Sequence, residues 1–463
     1  MLKKIFIRSL SVLLSLVFLI IALFVIANWG DQDLRHEVEA ELHWQAPKEI
    51  VDSNGFVLLQ GMTAKEGVDP VVLGRRKLAA ELQRFEEHRH KMSYDPIEPV
   101  LDSDEVRFQR GQAETCAYTE SANCVAFYLS REVKDEQAIL HARKSLLANF
   151  DRLKASATYL EIMPPHIGAS IPQFSPLMHA AELQRMRAIR LIADGNPTLG
   201  LTELLQVADF SQRWLANSSS LVSHMIALAS LQRDLRILDE LLVRFPELLK
   251  EQAQIQTWLS RFSLQKMSMD KAFKTERQVS LQVMHAALGA STNRAPDPAL
   301  SWAQRLLTKL ISRPNAALNL TYDWNLLLET LAQQTGTAYI EMKVAMPNKR
   351  KALLGLGFAN VYLRDPVAKI LLGVSSPGFE TYIERHADVF AQANLLAVKL
   401  DLLTQKIAEE NIPQFIQSQA AQYAAKYGVQ AVKWDADKHL ISVALRQNSN
   451  QGYQKEKVIR SKL

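Results

Sequence analysis

From Leu10 to Trp29 the chain reads LSVLLSLVFLIIALFVIANW, twenty residues without a charge. At about 1.5 Å of rise per residue, a helix of that length crosses a hydrocarbon core of roughly 30 Å. Helical backbone is also what lipid demands, because every peptide group is satisfied within the segment. Lys3, Lys4 and Arg8 precede the run, and Asp31 and Asp33 follow it before Arg35. The positive-inside rule therefore leaves residues 1–9 in the cytoplasm, threads 10–29 through the membrane and exports the rest. Val25-Ile26-Ala27 is a pattern that a signal peptidase accepts, so cleavage is the competing reading. The run exceeds the roughly 7–15 residues of a signal h-region, and Trp29 sits where an interfacial aromatic belongs, so a retained anchor is expected. No other stretch approaches this length without a charge, which excludes a polytopic transporter or channel. The implied place is a bacterial inner membrane, crossed once, with the body in the periplasm.

A chain of 463 residues, 48% apolar and 22% charged, has ample material for a large core or for two or three subdomains. The net charge of +5 is spread too thinly to argue for nucleic acid. Only two cysteines occur, Cys116 and Cys124. Their spacing fits no zinc pattern, and export to an oxidising compartment predicts a disulfide pinning a short loop.

Beyond the anchor, Leu34, Val38 and Leu42 recur every four residues among charges, so the first helix is expected to continue outward as a stalk. Residues 30–162 read as that stalk and a mixed subdomain carrying the cysteines. Within it GRRKLAAELQRFEEHRH is helical, CVAFYLS suits a short strand, and Ile139, Leu146, Phe150, Leu153 and Leu160 lie on one helical stripe. The Pro-rich segment 163–176 forbids regular structure and reads as a connector and hinge. Residues 177–427 form a helical body. In it, Gly195 can take a left-handed position at the end of one helix and Pro197 the first turn of the next, a pairing like one tetratricopeptide-type unit. No fixed period follows it, so an irregular bundle is expected rather than a solenoid. Further helices are expected at Pro246–Phe262, Gln265–Leu288, Leu300–Ile311, Tyr322–Gln333 and Thr381–Glu410. Residues 428–446 alternate as a β-hairpin turning at Asp435-Ala436-Asp437-Lys438. Residues 447–463 form a polar, basic tail. The fold class is mainly α: an N-terminal transmembrane helix, an irregular multi-helix bundle, a little β-structure near the disulfide loop, and a C-terminal hairpin.

Several stretches carry a likeness in order along the chain: SNGFVLLQGM and VDPVVLGRRKLAA, the Cys116–Cys124 pair followed by LLANFDRLKA, SLVSHMIALASLQRDLRIL, RPNAALNL, and DPVAKILLGVSSPGFETYIERHAD. Together they resemble an uncharacterised family of single-pass membrane-anchored proteins of Gram-negative bacteria. The resemblance implies placement and architecture, not an activity. Members of that family carry a Pro- and Gly-containing turn before a Trp-Asp dipeptide; here Lys426-Tyr427-Gly428-Val429-Gln430 precedes Trp434-Asp435.

Signatures of catalysis are few. S-x-x-K occurs at Ser263–Lys266 and Ser268–Lys271, and Ser121-Ala122-Asn123 fits S-x-N, but no Lys-Ser/Thr-Gly completes a penicillin-binding site. Gly373-Val374-Ser375-Ser376-Pro377-Gly378 has the wrong spacing for a nucleophile elbow. In Glu86-Glu87-His88-Arg89-His90, only Glu86 and His90 share a helical face, and a solvated charged face is the default. His224 and His285 stand singly in apolar helices, where a satisfied core histidine, or one at a helix–helix seam, is expected. Gly355-Leu356-Gly357-Phe358-Ala359-Asn360 lacks the third glycine of a dinucleotide loop and reads as a turn between helices. Trp214, Trp258, Trp302 and Trp324 sit in helical patterns that favour core packing. No cofactor or metal is expected, and catalytic residues are not identifiable. The chain reads as a scaffold or binding protein of the cell envelope, tethered through residues 10–29 and engaging an envelope protein partner. The alternative is an envelope hydrolase with scattered catalytic groups.

Overall fold

A computed structural model of the chain describes all residues except 1, 48–50, 90–101, 110, 112–113, 118–122, 293–300, 302–312, 356–363, 376–377, 428–431, 445–457 and 463. The apolar run forms α1 (Leu2–Ala27), whose window Ser9–Ala27 is long and apolar enough to cross a membrane and has none of its residues buried in the body. The helix does not continue into a stalk. It stops at Asn28, Gly30 takes a positive φ, and a separate helix α2 (His36–Leu42) follows an extended stretch. Leu34, Val38 and Leu42 point into the body instead, with Val38 fully buried.

The short helix α3 (Gly55–Gln60) and the longer α4 (Pro70–His88) are capped as their sequence suggests. Asn54 Oδ1 accepts from Phe56 N–H at 3.1 Å, Asp69 caps α4, and Pro70 occupies its first turn. The segment CVAFYLS is not a strand but the helix α5 (Cys124–Leu129). Asn123 accepts from Ala126 N–H at 2.8 Å, and the β-prone Val125 and Tyr128, three apart, turn one face into the core. Nearby β-structure among the described residues is confined to single bridges, Ala64 with Glu105 and Asn54 with Thr158. The Cys116–Cys124 disulfide is present and buried. The expected long helical stripe divides into α6 (Val133–Ala142) and α7 (Lys144–Lys154).

The Pro-rich connector has no regular structure before Phe174, as expected, but it is not a hinge. Pro164, Pro165 and His166 are buried, and Phe174 stacks on Trp214 at 5.4 Å. Helices α8 (Phe174–Ala193), α9 (Pro197–Asn217) and α10 (Leu221–Arg244) follow. Between α8 and α9, Gly195 has φ 85°, and Asn196 N–H donates to Leu191 O at 2.9 Å, the bond of a Schellman stop. A 3-10 turn (Pro246–Glu251) leads into α11 (Gln252–Ser260), then α12 (Asp270–Thr292), α13 (Pro314–Gln333), α14 (Gly336–Leu354), α15 (Pro366–Ser375), α16 (Glu380–Thr404) and α17 (Ile412–Tyr427). The helix expected at Leu300–Ile311 lies outside the described residues, apart from Ser301.

The C-terminal hairpin forms as expected, β1 (Lys433–Asp435) against β2 (Leu440–Ala444), with Trp434 opposite Ile441. The tail adds a strand: β3 (Val458–Lys462) pairs antiparallel with β2, with Val443 opposite Ile459. Ser461 hydrogen-bonds Asp239 at 2.6 Å, tying this sheet to α10.

Three apolar clusters share α16. Phe390, Ala393, Leu396 and Leu400 belong to the largest, built on α3 to α11. Ile383 and the preceding Phe379 join a second with α2 and α12 to α15. Ala391, Leu395, Val398 and Leu402 meet α17 and the sheet in a third. From His386 to Leu400 every residue of α16 is buried, the polar His386, Asp388, Gln392, Asn394 and Lys399 included, and α16 is the axle of this fold.

Candidate functional site

A groove of about 800 Å³ opens on the described surface between α9 and α11, bordered also by residues of α7. That volume lies within the range of ligand pockets, roughly 300–1,000 Å³. Its floor comes from helical spacing. Thr202, Gln206, Asp209 and Arg213 recur along one face of α9, and Gln254, Thr257 and Trp258 along α11 with Arg261 just past its end, while α7 contributes Asp151 and Lys154. Such a polar stripe reads in the sequence as a solvated face. Only the packing of α7 and α11 alongside α9 turns it into a wall.

The charged groups are pre-set. The Arg213 guanidinium donates to Ser156 O at 2.8 Å and to Lys154 O, and its Nε pairs with Asp209 at 3.3 Å. Arg261 meets the same carboxylate from the end of α11. Lys154 pairs with Asp151 at 3.0 Å, and Asp151 also accepts from Gln184 Nε2 at 2.6 Å. Burial of the Lys154 ammonium pulls its pKa below the ordinary lysine value, and Asp151 pulls it partly back. Thr202 donates to Thr198 O, and Thr257 to Ala253 O, so both hydroxyl oxygens keep acceptor capacity. Trp258 borders the groove but is only 3% exposed, its ring set edge-on to Phe262 at 5.2 Å within the largest apolar cluster. The fixed guanidinium groups and the hydroxyls suit a chain that brings its own hydrogen-bonding groups, laid beside apolar surface from Ala155, Leu205 and Ala253.

Of the residues singled out by sequence, only Trp258 borders this groove, and it is packed in the core as expected. Trp214 is buried and donates to Ser223 Oγ at 2.9 Å, and Trp324 is buried under Arg350. Trp302 lies outside the described residues. His224 is a core histidine as expected: its Nδ1 meets Ser218 Oγ at 2.8 Å and its Nε2 meets His386 Nδ1 at 3.0 Å, all three side chains buried. His285, expected in the core, is exposed on α12. Ser263 to Lys266 lie in the turn between α11 and α12, and Ser268 just precedes α12, which carries Lys271. Asn123 caps α5, while Ser121 and Ala122 are outside the described residues. Glu86 pairs with Arg89 at 3.1 Å and His88 meets Arg84 O, leaving His90 outside the described residues. Gly355, with φ 59°, stops α14, and Gly373 to Ser375 end α15; the residues between Gly355 and Arg364, with Ser376 and Pro377, are outside the description. Among the described residues no three His, Cys, Asp or Glu gather as a metal site would require.

A second polar constellation was invisible in the sequence. Glu161 accepts from Tyr159 Oη at 3.0 Å, from Ser219 N–H at 2.7 Å and from Ser223 Oγ, wholly inside the protein. Burial raises its pKa, and the hydrogen bonds from Ser223, Ser219 and Tyr159 partly offset that. It seals the connector against α9 and α10 and does not line the groove.

No protein-family model, curated protein or solved structure matches the chain.

Proposed function

We propose that the protein is a scaffold of the bacterial cell envelope, held in the inner membrane by α1 with its body in the periplasm, whose α7–α9–α11 groove binds an extended polar segment of another envelope protein. The groove carries this reading: its hydrogen-bonding groups are positioned by backbone contacts before any ligand arrives, which lowers the ordering cost of binding. The charge asymmetry about α1 and the buried disulfide support export. The resemblance to single-pass membrane proteins of Gram-negative bacteria supports the same placement.

The test is photo-crosslinking in intact membranes. A crosslinker at Thr257 should capture one reproducible envelope protein, and Arg213→Ala should reduce that adduct severalfold; a crosslinker at exposed Leu199 should capture none of it. If position 257 yields no reproducible adduct while the purified protein turns over an envelope substrate, the hydrolase reading replaces this one. Orientation has its own check, since a periplasm-dependent reporter fused after residue 463 should be active.

A further inference from the structure

The segment leaving α1 is fastened to the body rather than free. Asp31 accepts from the N–H groups of Asn315 and Ala316 at 2.8 and 3.1 Å, capping α13. Asn319 Nδ2 donates to Asp33 O at 3.0 Å, and Arg35 pairs with Asp323 at 2.7 Å. At the end of α1 itself, Asn28 is buried, and its Oδ1 accepts from Asp365 N–H at 3.2 Å. Arg313 holds the Asp365 carboxylate at 2.7 Å. Residue 365 therefore stands level with the end of the apolar helix, and α15 begins one residue later.

Side chains from Leu10 to Ile21 are exposed, but Ala22, Phe24, Val25 and Ala27 are partly covered. The body therefore reaches alongside the last turns of α1. Six residues separate Ala22 from Asn28, about 9 Å of helix. Whatever covers those turns lies about that far below the end of the anchor, the depth of a helix resting in the headgroup region, roughly 5–10 Å.

α15 has the composition for that layer. PVAKILLGVS carries one charge in ten residues, Lys369, with Arg364 just before it. Ala368 and Leu372 face the second core cluster, while Ile370 projects outward, 55% exposed. An apolar side chain with flanking cations whose stems can reach back to phosphates is the pattern of an interfacial helix.

We propose that α15 lies in the periplasmic-side interface of the bilayer, with Ile370 in the acyl boundary and Arg364 and Lys369 at the phosphates. The body then rests on the membrane at two places, α1 and α15, and the groove is held at a fixed height and direction. This rests on the anchor reading above.

The experiment uses the full chain in lipid nanodiscs containing a nitroxide-labelled lipid, with an environment-sensitive fluorophore on single introduced cysteines: Ile370→Cys, Phe18→Cys and Leu199→Cys. All three positions are exposed on the protein surface, so labelling leaves the fold intact. A shallow nitroxide should quench the label at 370 about threefold more than the label at 199, as expected for an interfacial position. Quenching at 370 no greater than at 199, with position 18 still quenched by a deep nitroxide, would overturn the interfacial helix and leave the anchor standing. Loss of quenching at position 18 as well would remove the anchor reading and this inference together.

Discussion

His224 is neutral in the fold because burial, and then the neighbouring His386, drive its pKa well below the ordinary histidine value. A base whose folded pKa is depressed contributes stability above its unfolded pKa, about 6.5, and that contribution is lost as pH falls below it. Glu161 works the other way. Its raised folded pKa makes its contribution complete below the unfolded value, about 4.3, and lost as pH rises through the folded one. Substituting His224→Gln removes the first effect and leaves the second. Chemical denaturation between about pH 7.5 and 5.5 should show the wild type losing up to about 1.4 kcal/mol per pH unit relative to the variant; parallel profiles would show that His224 is not kept neutral. A second residue-scale test concerns Arg185, fully buried between Glu182 at 2.9 Å and Asp234 at 2.7 Å. Arg185→Met leaves the buried Asp234 carboxylate without its cation, while Glu182 keeps Arg233 at 3.5 Å, and should cost about 3–5 kcal/mol, and adding Asp234→Leu should recover part of it.

The elements differ in how plainly the sequence announces them. α1 was legible as an unbroken apolar run, and α4, α8, α9 and α10 because each combines 3.6-residue apolar spacing with a cap, a glycine stop or a proline start, signals that act within one turn of chain. CVAFYLS was misread because β-propensity measures fit to a half-buried surface, and here the Asn123 cap and the packing of Val125 and Tyr128 decide otherwise. β3 was missed because its alternation is completed only by β2, eighteen residues back from Val458 at Leu440. The groove was missed for a similar reason, since its polar stripe gains meaning only from a neighbouring helix. Two predictions belong to this scale. Gly74 lets α4 approach Val57 so closely that a Cβ would stand 1.9 Å from the Val57 carbonyl oxygen, so Gly74→Ala should force the helices apart and destabilise by about 1–3 kcal/mol in denaturant titration. Opening the Cys116–Cys124 bridge, by reductant or by paired serine substitution, should cost about 2–3 kcal/mol, the entropy of so short a loop.

Across the whole molecule, the decisive feature is that the residues expected to form an outward stalk are spent on holding the body. A stalk would need α1 to continue, but Gly30 turns the chain and Leu34, Val38 and Leu42 then supply part of the second core cluster. Arg277 reaches back from α12 to Glu41, at 2.6 Å, and to Glu329 on α13, so the attachment extends the length of α2. The joint between α1 and the body is thereby part of the fold and should open only when that fold locally opens. Trypsin offers a direct measure, because Arg35 is a cleavage site within the joint and its side chain is engaged by Asn319 O and Asp323. Removing the Asp31 and Asn319 side chains together deletes four hydrogen bonds to this segment, at 2.8 and 3.1 Å from Asp31 and 3.0 and 3.2 Å from Asn319. At about 0.5–1.5 kcal/mol each, the open population should rise about thirtyfold or more, and cleavage in the regime of fast reclosing follows that population. With the protein in vesicles, the wild type should shed its body slowly and the Asp31→Ala, Asn319→Ala variant about thirtyfold faster or more. Equal rates would mean that the segment is already loose in the wild type, and the body would then hang from α1 without a set direction.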